Sequence, residues 1–82
     1  MVRKVKDTEM QRKINHSVAK KLEKYIEDNK LTKSSIAAQL NVTPIMITHY
    51  LQGGIAMRSE NLITLAKLMN TTVDDLLKVE DL

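Results

Sequence analysis

Apolar residues recur along this chain at spacings of three and four, the period of a helix that buries one face. Val18, Leu22, Tyr25 and Ile26 stand at i, i+4, i+7 and i+8 and predict a first helix from about Asn15 to Asn29. Met10 and Ile14 continue that stripe backward, which moves the expected start toward Thr8. Ile36, Ala37 and Leu40 share a face of a short second helix, Lys33 to Leu40. Ile47 and Tyr50 do the same for a third, Pro44 to about Gln52. Leu62, Leu65, Ala66 and Met69 form the stripe of a fourth, and Leu76 and Leu77 anchor a last short one. The β-branched alternation that strands require is absent.

Punctuation residues agree with these bounds. Thr32, Thr43, Ser59 and Thr72 are expected N-caps, with Asp75 completing a capping box. Pro44 suits a first helical position, and Gly53-Gly54 suits a stop. Asn41 and Asn70 stand where a left-handed residue ends a helix. Only Asn41-Val42-Thr43 separates the second helix from the third, which is helix-turn-helix spacing. The fold class is therefore all-α, a compact five-helix bundle. Residues 14–78 are expected to form the domain, with 1–13 a basic arm or helix extension and 79–82 a tail.

Composition narrows the setting. With 82 residues there is room for one small domain, and with no cysteine there are neither disulfides nor thiolate metal sites. No apolar run suggests a signal peptide or a membrane span, so a cytoplasmic protein without membrane association is expected. The Asn-x-Ser/Thr matches at Asn15, Asn41 and Asn70 are then chance. Residues 1–33 carry ten Lys/Arg against five Asp/Glu, while 34–82 carry three against five. That gives +5 and −2, so an anionic partner would meet the first half. His16 has no neighbouring ligand cluster, so a helix-start role is expected rather than metal binding. No nucleophile–base pair, phosphate-cradling loop or cofactor motif is visible, and the chain is not expected to be an enzyme.

The stretch Val18 to Leu77 resembles the Cro and lambda-repressor type of helix-turn-helix domain. The resemblance rests on Leu31-Thr32, "IAAQLNV" from Ile36 to Val42, Ile47, Gly53 and "ENLITLAKLMNTTVDDLL". Small Ala37 suits the close crossing of the motif helices, with Val42 and Ile47 packing the turn and Leu40 and Tyr50 tying it to the bundle. In that family the third helix enters the major groove of double-stranded DNA while the second crosses the backbone. The resemblance thus implies a phosphate contact for Lys33 and groove-facing positions for Pro44, Ile45, Met46, Thr48 and His49. Gln52 would lie near a phosphate, Arg58 precedes the fourth helix, and Thr43 combines capping with a possible methyl contact. His49 can meet a base edge, or phosphate when protonated.

Ile45 and Met46 depart from the polar residues usual there, and three readings are open. They read thymine methyls, they are partly buried by a neighbouring loop, or the helix has become a protein-binding surface. Where some members join the first and third helices by an Arg–Glu pair, this chain has Ile26 and Leu51, so an apolar contact is expected. Lys33 is the only charged residue between Leu31 and Met57. The remaining attraction for DNA must come from Arg3, Lys4, Lys6, Arg12 and Lys13, with Lys20, Lys21 and Lys24.

The function implied is a sequence-specific transcriptional regulator, most simply a repressor, bacterial or phage- or plasmid-encoded. It would bind an operator as a homodimer without a small-molecule effector. Leu76, Leu77, Val79 and Leu82 are candidate dimer contacts, unless Leu76 belongs to the core. The alternative is an antitoxin-like protein-interaction module that keeps the fold.

Overall fold

Four helices of this chain stop in the same way, on a residue held in the left-handed region. Lys30, Asn41, Gly53 and Asn70 have φ of 53°, 59°, 72° and 56°. At each, two backbone N–H groups turn back onto helix carbonyls. Val42 N donates to Ala37 O at 2.9 Å and Asn41 N to Ala38 O at 3.3 Å. Gly54 N to His49 O and Gly53 N to Tyr50 O repeat the pattern, as do the pairs at Lys30-Leu31 and Asn70-Thr71. This is the Schellman arrangement, which satisfies carbonyls that a helix end leaves without partners.

The computed structural model describes residues 2–79, and side chains from residue 9. It contains α1 (Val2–Asp28), α2 (Lys33–Leu40), α3 (Pro44–Leu51), α4 (Ser59–Leu68) and α5 (Val73–Leu77). Helix α1 packs against α3 and α5, α2 against α3 and α4, and α4 against α5. Leu22, Ile36, Ile47, Leu65 and Leu76, one from each helix, are the largest fully buried side chains. Ile26 and Leu51 are half-buried against this same core, neither in solvent. Among the described residues no helix is long and apolar enough to cross a membrane.

Helix starts follow their caps with one exception. Thr32, Thr43 and Thr72 accept from Ser35 N, Met46 N and Asp75 N at 3.0, 3.2 and 3.1 Å. Ser59 is not a cap: it is the first residue of α4, Arg58 stands before it, and no side chain closes that end. Asp75 turns its carboxylate to Thr71 Oγ1 at 3.0 Å, so only the threonine half of the expected capping box is seen.

The first helix is longer than its hydrophobic stripe suggested. Its 27 residues at about 1.5 Å each span roughly 40 Å, close to the 42 Å length of the molecule. Among the described side chains packing begins at Ile14, while Glu9 to Lys13 are exposed. Met10 is 52% exposed. His16 is mid-helix, which corrects the expected helix-start role.

Helix α1 also closes the end of α5, by contacts no local pattern announces. Lys21 Nζ donates to the carbonyls of Asp75 and Lys78, the latter at 3.0 Å, and buried Ser17 donates to Lys78 O at 2.5 Å. Lys21 is thereby a C-cap for α5, where a cation also suits the helix dipole. Leu76, 1% exposed, is core rather than a dimer contact. Leu77 and Val79 are half-buried, and Leu82 lies outside the described residues.

The helix stops yield a paired stability prediction. A Cβ on Gly53 would meet His16 Cα at 3.7 Å, an ordinary contact, so the cost of Gly53→Ala comes from its φ of 72°. That substitution is expected to destabilise by about 1–2 kcal/mol. Lys30 is an exposed lysine already in this conformation, so Lys30→Gly is expected to stabilise by about 0.5–1 kcal/mol. Urea denaturation of the two variants would show midpoint shifts of opposite sign.

Candidate nucleic-acid interface

Helix α3 is held by one face and presents the other. Thr43 and Pro44 set its start, and Ile47 and Tyr50, 0% and 5% exposed, fix its rotation. Buried Asn61 donates to Tyr50 Oη at 3.3 Å, tying α3 to α4 through a satisfied polar pair. Gly53 then lets the chain pass the backbone of α1 at Asn15 and His16. With rotation and both ends fixed, the orientation of the remaining side chains follows from the 3.6-residue turn.

Thr43, Pro44, Ile45, His49 and Gln52 are exposed, with Ile45 70% exposed. Ile45 and Gln52 are seven residues apart and mark the centre of the outward face; half-buried Thr48 and exposed His49 flank it. Met46 is different. It is half-buried against the core and lines an open depression of about 240 Å³ with Leu40, Val42, Tyr50, Arg58 and Asn61. Of the three readings for Ile45 and Met46, partial burial describes Met46, and Ile45 remains the one large apolar side chain projecting from α3. Arg58 is exposed at the rim of that depression, brought beside the turn of the motif by the α3–α4 loop.

The cations are distributed otherwise than charge counting suggested. Lys33 begins α2, but its Nζ donates to Thr48 Oγ1 at 3.1 Å, so it belongs with the face of α3. Lys21 is engaged at the end of α5. Lys20, Lys24, Arg12 and Lys13 are exposed on α1. The side chains of Arg3, Lys4 and Lys6 lie outside the described residues.

A capped, outward-facing α3 joined to α2 by a three-residue turn defines a helix-turn-helix domain. The chain matches the helix-turn-helix family model HTH_3 over residues 22–76, about two thirds of its length, and it belongs to that Cro/C1-type family. The family is one of DNA-binding regulatory domains rather than of enzymes. No curated protein and no solved structure matches the chain.

Proposed function

We propose that this chain is a transcriptional repressor that binds an operator as a homodimer, each copy placing α3 in the major groove. The observation carrying the reading is the division of α3 into a buried face, Ile47 and Tyr50, and an outward face of Ile45, Thr48, His49 and Gln52. Occupying a promoter requires no further surface, which makes repression the simplest mode. Ile45 supplies apolar contact for a thymine methyl, while His49 and Gln52 carry donors and acceptors for base edges or phosphate. Thr43 and Pro44 bring the start of α3 close to the groove, and Arg58 meets phosphate. Met46 supports the helix from behind.

Exposure of Ile45 also favours a second reading, an antitoxin-like module whose α3 meets protein. Selection of bound duplexes from a random pool separates the two. The DNA reading predicts an enriched two-fold site containing thymine, with half-sites about one helical turn apart. Binding without enrichment or salt dependence favours the protein partner.

A further inference from the structure

Lys33 starts α2, yet its side chain crosses the motif and ends on α3. Its Nζ donates to Thr48 Oγ1 at 3.1 Å, and that hydroxyl lies 3.4 Å from Pro44 O, to which it donates along its own helix. The threonine therefore spends its proton within α3 and one lone pair on the lysine. An ammonium has three N–H donors, and this contact occupies one. Lys33 is otherwise exposed, so the remaining donors face outward.

The tether fixes where that charge stands. Thr48 lies three residues after Ile45, about 60° around the helix on the side of α2, and residues at this spacing are surface neighbours. The cation is thus carried beside the centre line of the outward face, next to the most exposed apolar side chain of the motif. An ammonium free to sweep the surface would suit a phosphate; one fixed to α3 goes where α3 goes.

We propose that Lys33 is a specificity-determining residue whose ammonium, held by Thr48, selects guanine beside the position that Ile45 reads. The proposal rests on α3 entering the major groove and replaces the phosphate role implied by family resemblance. Guanine follows from chemistry. It presents two adjacent acceptors, O6 and N7, whereas thymine offers the single acceptor O4 beside a methyl group, adenine pairs its acceptor with a donor that faces a cation badly, and cytosine offers only a donor.

The test uses the full chain and the duplex enriched by selection, with every base pair of one half-site substituted in turn. Lys33→Met, which keeps the stem and removes the charge, is expected to abolish the penalty for replacing one guanine. That penalty is about tenfold to a hundredfold in the unsubstituted protein. Replacing the same guanine by 7-deazaguanine should weaken the unsubstituted protein but not Lys33→Met. Thr48→Val, which keeps the branched shape and the charge but removes the tether, should narrow that penalty. A loss in Lys33→Met that is equal across all sequences, with the salt slope reduced by about one, would make Lys33 a phosphate clamp and overturn the proposal. Unchanged discrimination in Lys33→Met would also overturn it. An unsubstituted protein that selects no duplex refutes the DNA reading itself, and the lysine proposal with it, before any variant is compared.

Discussion

Replacing Ile47 by alanine is expected to cost about 2–5 kcal/mol of stability, the range for truncating a large aliphatic side chain in a packed core. Ile47 is 0% exposed and belongs to the cluster that includes Leu22, Ile36, Leu40, Leu65 and Leu76. It stands where α3 meets the rest of the bundle, so shrinkage there leaves a cavity bordered by several helices. A domain of this size has roughly 4–12 kcal/mol in total, at 0.05–0.15 kcal/mol per residue. The variant should therefore melt far lower, by roughly 4–8 °C for each kcal/mol lost. Ile45, two residues earlier and 70% exposed, provides the internal contrast. Ile45→Ala should change stability by no more than about 0.5 kcal/mol while weakening DNA binding. Denaturant midpoints and DNA titrations of the two variants should thus order them oppositely. Equal stability losses would contradict the division of α3 into an inward and an outward face.

The same division explains why α2 and α3 could be read from the residues with little error. Their ends are set by local chemistry: Thr32 and Thr43 accept from N–H groups three residues on, and Asn41 and Gly53 take the left-handed conformation. Such signals act within five residues and need no knowledge of the rest of the chain. Lys30 stops α1 in the same conformation without a residue type that favours it, because the backbone hydrogen bonds around Leu31 close the end. The start of α1 carries no stop signal, since Val2 to Lys13 lacks Gly and Pro. Helix therefore continues past Ile14, and Met10 follows the stripe without being buried.

Contacts across the molecule were beyond reach of spacing rules. Lys33 and Thr48 are 15 residues apart, and Lys21 and Asp75 are 54 apart. Lys33, given a phosphate by the family resemblance, and Lys21, counted toward the general attraction for DNA, each meet a protein oxygen. Met46 shows the same limit: it lies one residue before Ile47 on α3, yet it packs partly against the core and shares an open depression with Leu40, Val42, Arg58 and Asn61. Hydrophobic periodicity orders residues around one helix; which neighbouring element covers the margin of that helix is a tertiary outcome.

Removing the first thirteen residues is expected to weaken binding to all duplexes and flatten its salt dependence, while leaving the bundle folded. Among the described side chains packing begins at Ile14, so a chain that starts there keeps every one of them that is buried. The segment removed carries Arg3, Lys4, Lys6, Arg12 and Lys13 against Asp7 and Glu9. The motif itself is poor in charge: between Leu31 and Met57, Lys33 is the only Lys, Arg, Asp or Glu. Each phosphate neutralised contributes about 0.9 to the slope of log affinity against log salt concentration. Loss of all five cations would lower that slope by about 4–5, and loss of two contacts by nearly 2. Because the backbone of the segment continues α1 as a helix, the DNA it is expected to address is the duplex flanking the half-site. The order of preference among duplexes should consequently survive truncation, since phosphates carry no sequence information. Titrations of the full and shortened chains over a range of salt concentrations measure both quantities. An unchanged slope would show that the extension serves a contact other than DNA, and a changed order of preference would show that it reads bases.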